Sequence, residues 1–121
     1  MRLSVIPTSP IPAYRQLYDE ILSQVISGEL KPGDALPPIR IAAKELGISV
    51  ITVRTAWEAL EADGLIVTRS GSGCFIADLG AREIREKRKA MLEEPLARLA
   101  EAAKKLGFTK EEIMEMVDKA Y

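Results

Sequence analysis

The segment SVITVRTAWEALEADG, residues 49–64, restricts the fold more than any other part of the chain. Val50, Ile51, Thr52 and Val53 are all β-branched, a composition that suits the pleated surface of a strand. A half-buried strand also needs apolar and polar residues to alternate, and Arg54-Thr55-Ala56-Trp57-Glu58 breaks that alternation. Val53, Ala56, Trp57 and Leu60 instead recur at three- and four-residue spacing, the period of a helix with one buried face. Ser49 offers a side-chain cap at the start, and Gly64 a stop at the end. The pattern predicts a helix of about three turns. Its first turn, Val50-Ile51-Thr52, is then expected to face outward, an apolar surface that calls for a partner.

The flanking segments predict what this helix packs against. Pro12 is suited to open a preceding helix, with Tyr14, Leu17, Ile21, Leu22 and Val25 as its apolar stripe and Gly28 as its left-handed cap. LKPGDALPP (30–38) reads as a turn at Pro32-Gly33 followed by a rigid entry at Pro37-Pro38. PIRIAAKELG (38–47) reads as a short helix with Ile39, Ala42, Ala43 and Leu46 inward and Arg40 and Lys44 sharing an outer face. After residue 64, Leu65–Thr68 and Cys74–Ile76 are short strand candidates around a Ser/Gly turn, the pattern of a β-hairpin.

Residues 79–121 form a charge-rich helical tail. Ile84, Met91, Leu92, Leu96, Leu99, Ala103 and Leu106 follow a helical stripe, and Pro95 within it predicts a kink or a break. Gly107 ends the stripe. Thr109-Lys110-Glu111-Glu112 is a capping-box pattern opening a last helix with Ile113, Met116 and Val117 on one side. A lone amphipathic tail must bury its apolar face, so this stripe is the expected dimerisation surface. The expected organisation is therefore a domain of residues 1–78 followed by a tail of residues 79–121.

Composition narrows the chemistry. The chain of 121 residues contains no histidine, the commonest general base and transition-metal ligand, and one cysteine, Cys74. A single cysteine forms no intrachain disulfide and no structural zinc site. No catalytic constellation is visible, and the expectation is a protein that is not an enzyme and holds no cofactor or metal. No apolar run approaches a membrane span, and no charged-then-apolar leader opens the chain, so a cytoplasmic location is expected.

Charge at first argues against nucleic acid. The net charge is −1, from 17 basic and 18 acidic side chains. Placement reverses the argument, because no acid occurs from Leu46 to Trp57 or from Leu65 to Ala77. Phosphate contact needs only local positive charge.

A helix, a short helix, a glycine turn, a further helix and a hairpin follow the order of a winged helix-turn-helix, an α+β fold that is mostly α. In such folds the second helix of the motif enters the major groove. The exposed methyl groups of Val50, Ile51 and Thr52 would there meet thymine methyls. The blocks PAYRQLYDEILSQVISGELKPGDALP, ELGISVITVRTAWEALEADGLI and RSGSGCFIA, within residues 11–77, resemble the GntR family of bacterial transcription regulators. The short helical tail most resembles its YtrA-like subfamily, which lacks a large effector domain and dimerises through C-terminal helices.

That resemblance implies a homodimeric repressor on a palindromic DNA operator. It carries DNA contact to Arg40 of the short helix, to Ser49, Thr52 and Arg54 of the recognition helix, and to Arg69, Gly71, Ser72 and Gly73 of the hairpin, or wing. Two positions depart from the family pattern. Many members have an arginine where this chain has Val50, and the usual threonine after the second wing glycine is Cys74. Dimerisation is expected from Ile84, Met91, Leu92, Leu96, Leu99, Leu106, Ile113 and Val117. A small-molecule inducer would bind between the winged domain and the tail or across the dimer interface, with Pro95 as a hinge.

Each assignment has a plainer counterpart. Arg54 could pair with Glu58 one turn on, Trp57 belongs to the core stripe, and Gly71-Ser72-Gly73 could be a flexible turn. The run Arg82, Arg85, Lys87, Arg88 and Lys89 fits a solvated helix face as well as a phosphate contact. A winged-helix protein-interaction module whose helical tail binds another protein, favoured by the −1 net charge and the exposure of Val50 and Ile51, is the alternative function.

Overall fold

The computed structural model describes residues 2–121. Its elements in chain order are α1 (Ala13–Ser27), α2 (Ile39–Leu46), α3 (Val50–Ala62), β1 (Ile66–Arg69), β2 (Gly73–Ile76), α4 (Ala81–Lys105) and α5 (Lys110–Ala120). The contested segment is a helix. Packing decides this, since its stripe of Val53, Ala56, Trp57 and Leu60 is buried. A strand would send half of those side chains to the opposite face.

The chain forms two compact units, one running to Ala81 and one of Arg82–Tyr121. In the first, α1 contributes Leu17, Tyr18, Ile21, Leu22 and Val25 to the core, and α2 contributes Ala42 and Ala43. The small α2 side chains let α3 approach closely. Leu65, Ile66 and Ile76 close the core from the hairpin side. Trp57 is 3% exposed, and its Nε1 donates to the Pro37 carbonyl at 3.4 Å, giving the buried indole a partner.

Two details of α1 differ from the sequence expectation. Pro12 caps the helix rather than opening it, with extended ψ of 144°. Tyr14 is exposed, and the buried tyrosine is Tyr18, which lies one position beyond Leu17 on the inward side.

The two strands pair antiparallel, Ile66 opposite Ile76 and Arg69 opposite Gly73, so the buried end of the hairpin is anchored and its tip projects. Ser70, Gly71 and Ser72 make the turn, and the Ser72 amide donates to the Arg69 carbonyl at 2.9 Å. Gly71 and Gly73 have φ of 76° and 107°, which side chains with a Cβ rarely adopt. The segment before α2 is more than a turn. Gly33 N donates to Ile76 O, Ile76 N to Asp34 O and Leu36 N to Cys74 O, so residues 33–36 cover the outer edge of β2.

In the second unit α4 runs unbroken from Ala81 to Lys105 with Pro95 inside it, so of the expected kink or break there is no break. Neighbouring turns evidently carry the helix past the one missing amide donor. Gly107 (φ 83°) turns the chain, and the Phe108 amide donates to the Ala103 carbonyl at 2.9 Å. The capping box forms as expected: Glu112 N donates to Thr109 Oγ1 at 3.2 Å, and Thr109 N to Glu112 Oε1 at 3.0 Å.

Candidate nucleic-acid interface

The start of α3 is fixed by its own side chains. Ser49 takes an extended backbone, and its hydroxyl accepts the Thr52 amide at 3.1 Å. The Ser49 and Thr52 hydroxyls are also hydrogen-bonded, 2.7 Å apart. Thr55 turns inward on its helix, donating to the Ile51 carbonyl at 2.9 Å.

The first turn of α3 does not face outward uniformly. Ile51 is 71% exposed, whereas Val50 and Thr52 are half-buried and Val50 packs against the core. Helical spacing explains the difference. Val50 lies three residues before the buried Val53 and so falls on nearly the same side, while Ile51 is rotated away by about 100°.

Three elements converge on one open cleft of about 340 Å³. Arg40 enters from α2, Arg54 and Trp57 from α3, and Ser72, Gly73 and Cys74 from the wing. Arg40 and Arg54 are exposed, and neither has an ion-pair partner among the described residues. In particular Arg54 does not pair with Glu58. Arg69, at the wing tip, places its guanidinium 5.0 Å from the Phe75 ring centroid, a cation–π contact that orients the side chain while leaving its N–H edges available. Gly71 is exposed at the same tip.

The nearby acids are engaged elsewhere. The Tyr18 hydroxyl donates to Asp63, and the Thr68 hydroxyl donates to Glu61. Burial, reinforced by that bond to Asp63, pushes the Tyr18 phenol up to about 12, so it remains a protonated donor. These contacts hold two carboxylates at the C-terminal end of α3, opposite the end carrying Ser49 and Thr52.

Cys74 is half-exposed, with its sulfur 3.4 Å from the Thr68 hydroxyl. No cluster of three metal-ligating side chains occurs among the described residues. No helix among the described residues is long and apolar enough to cross a membrane.

Two supports of the site escaped the sequence reading. One is the edge pairing of residues 33–36. The other is an N-terminal strap, in which Gln16, Glu20 and Gln24 of α1 bind the backbone of residues 2–6. The regular four-residue spacing of those three polar side chains was the available signal.

In the second unit, Ile84 and Ile113 are half-buried, whereas Leu92, Leu96, Leu99, Leu106 and Val117 are 44–74% exposed and Met91 is 40% exposed.

The family model for bacterial regulatory proteins of the gntR family matches residues 13–76. The chain is 44% identical over 69 residues to the probable rhizopine catabolism regulatory protein MocR of Rhizobium meliloti, a match covering 57% of this chain and only 14% of that protein. It is 30% identical over 115 residues to the HTH-type transcriptional repressor YtrA of Bacillus subtilis, covering 95% of this chain and 88% of that protein. Among solved structures, a GntR family transcriptional regulator from Listeria monocytogenes superposes with a TM-score of 0.77 at 26% identity, covering 94% and 97% of the two chains. The AraR DNA-binding domain, solved in complex with operator ORX1, superposes with a TM-score of 0.57 at 29% identity, covering 64% of this chain and 99% of that one. The chain is thus a DNA-binding transcription regulator that belongs to the gntR family, with its near full-length likeness to YtrA extending through the helical tail.

Proposed function

We propose that the protein is a cytoplasmic repressor that binds a palindromic operator as a homodimer. The observation that carries this reading is the shared cleft, which joins Arg40, Arg54, Ser72 and Gly73 from three elements on one surface. In the proposed complex α3 enters the major groove. Ile51 and the half-buried Val50 then offer methyl contacts, Ser49 and Thr52 hydroxyls, and Arg54 a cation. Arg40 holds the backbone beside the groove, and Arg69, Gly71, Ser72 and Gly73 place the wing against the flanking strand.

One winged unit reads one half-site. Two recognition helices about 34–36 Å apart are needed to read both halves of a palindrome. The exposed apolar side chains of α4 and α5 support self-association as the means of pairing them. The sign of regulation follows YtrA, a repressor by name. An inducer would act from a site completed by the dimer, altering the spacing of the recognition helices and hence the bound population.

The exposure of Ile51 would equally suit a protein partner, and duplex DNA distinguishes the two readings. A labelled duplex from the region upstream of the protein's own gene is titrated in a mobility-shift assay, with sedimentation of the complex. A salt-sensitive complex of two chains per duplex is expected. Salt-insensitive binding or none would favour the protein-interaction module.

A further inference from the structure

We propose that the first two turns of α4 form a second, sequence-independent DNA contact, in which Arg82, Arg85, Arg88 and Lys89 bind phosphates flanking the operator core. This rests on the DNA-binding reading above and extends it to a part of the chain outside the matched residues 13–76.

The argument begins with the geometry of one helix. At about 100° per residue, Arg82, Arg85, Arg88 and Lys89 fall within an arc of about 120°. Leu92, Leu96, Leu99 and Ala103, farther along α4, fall within the same arc, and Leu106 follows just past its end. One face of α4 therefore changes from basic to apolar near residue 90. The four cations are exposed, and Arg82 pairs with Glu86 across 3.4 Å with side chains 91% and 68% exposed. Such an open pair contributes little and competes weakly with a phosphate.

The switch in character sets the limits of any dimer seam. An apolar interface that follows Leu92–Leu106 cannot continue over residues 82–89, because burying a face with an excess of cations in an apolar seam is strongly unfavourable. The basic face must remain in water or meet an anion. Residues 82–89 hold five basic and two acidic side chains in a chain of net charge −1, so positive charge is concentrated there. The face also follows the DNA-binding unit directly in the chain, Arg82 coming six residues after Ile76, the end of β2. A duplex already held by that unit supplies a dense row of phosphates at high local concentration.

The test compares the full chain with an Arg85→Ala/Lys89→Ala variant and a Lys104→Ala/Lys105→Ala control. Alanine favours the helix, so neither change threatens folding. The probes are 40-bp and 16-bp duplexes of random sequence, read by fluorescence anisotropy across a salt series, with sedimentation on each protein. The test variant should bind the 40-bp duplex about tenfold more weakly, with a salt slope shallower by about two per protomer. The 16-bp duplex should show little change, the control none, and the dimer should persist. Wild-type affinity and slope in the variant would overturn the proposal while leaving wild-type DNA binding intact. An equal loss in the control would reduce the effect to net charge and overturn it. Loss of the dimer would assign the pair to the seam instead and overturn the proposal. Failure of the wild type to bind any duplex would remove the underlying DNA reading as well.

Discussion

Ser49 and Thr52 share two hydrogen bonds at the entry of α3, one from the Thr52 amide to the Ser49 hydroxyl at 3.1 Å and one between their hydroxyls at 2.7 Å. The same side chain therefore caps the helix and orients a residue proposed to meet DNA. Ser49→Ala should lower stability by about 1 kcal/mol, the ordinary cost of a lost cap. It should also weaken operator binding beyond what the unfolded fraction explains. Urea denaturation and DNA titration of the same variant check the two effects together.

Tyr18 and Asp63 tie α1 to the C-terminal end of α3. The Tyr18 phenol is raised from 10.0 to about 12 in the fold, so the folded state holds that proton more tightly than the unfolded chain. Its contribution is full below pH 10 and is lost as pH rises from 10 towards 12. Tyr18→Phe should be less stable at pH 8 by about 1 kcal/mol, and the gap from wild type should narrow above pH 10. Thermal denaturation of both proteins across that range is the measurement, and a constant gap would contradict the assignment.

The wing depends on a backbone form that glycine supplies. Gly73 has φ of 107° and borders the cleft. Open space surrounds the position of an added Cβ, so the penalty of Gly73→Ala is conformational, on the order of 1–2 kcal/mol. The variant should fold, melt a few degrees lower and bind DNA more weakly as the hairpin shifts. Unchanged binding would remove the wing from the contact surface.

The tail prediction concerns Leu96 and Leu99, 62% and 47% exposed in the single chain. Leu96→Glu/Leu99→Glu should abolish the dimer by placing paired like charges in the seam. The winged unit should keep its fold, and affinity for a full palindrome should fall at least tenfold while half-site binding persists. Equilibrium sedimentation reads the first effect directly, and a persistent dimer would place the interface elsewhere.

Much of this architecture was legible because local signals agreed. Ser49, Gly47, Gly28 and the Thr109–Glu112 box mark helix ends through backbone chemistry that depends on near neighbours alone. The long-range features were harder to read. The pairing of residues 33–36 with β2 joins segments far apart in sequence, and nothing in LKPGDALPP has the period of a strand. Tyr14 and Tyr18 are both compatible with the α1 stripe, and only the position of Asp63 and the packing of α3 select Tyr18. Val50 is a different case, since its partial burial is legible within α3 itself. Its three-residue offset from the buried Val53 puts it towards the core, a helical signal that its β-branched, apolar character masks in a first turn expected to face outward. Pro95 does not break α4, since a proline within a helix removes one donor without necessarily interrupting its neighbours.

The most direct test of the central claim is the affinity of Arg54→Ala for the operator, measured against wild type with unrelated duplex as competitor. Arg54 is exposed on α3, follows the fully buried Val53 and lines the cleft with Arg40 and the wing. The fold should be unaffected, with a melting temperature within a few degrees of wild type. Loss of a base or phosphate contact should cost on the order of 1–3 kcal/mol, roughly a five- to 150-fold loss per half-site. Operator affinity equal to wild type, in a variant shown to be folded and dimeric, would contradict the assignment of α3 as the element that reads DNA.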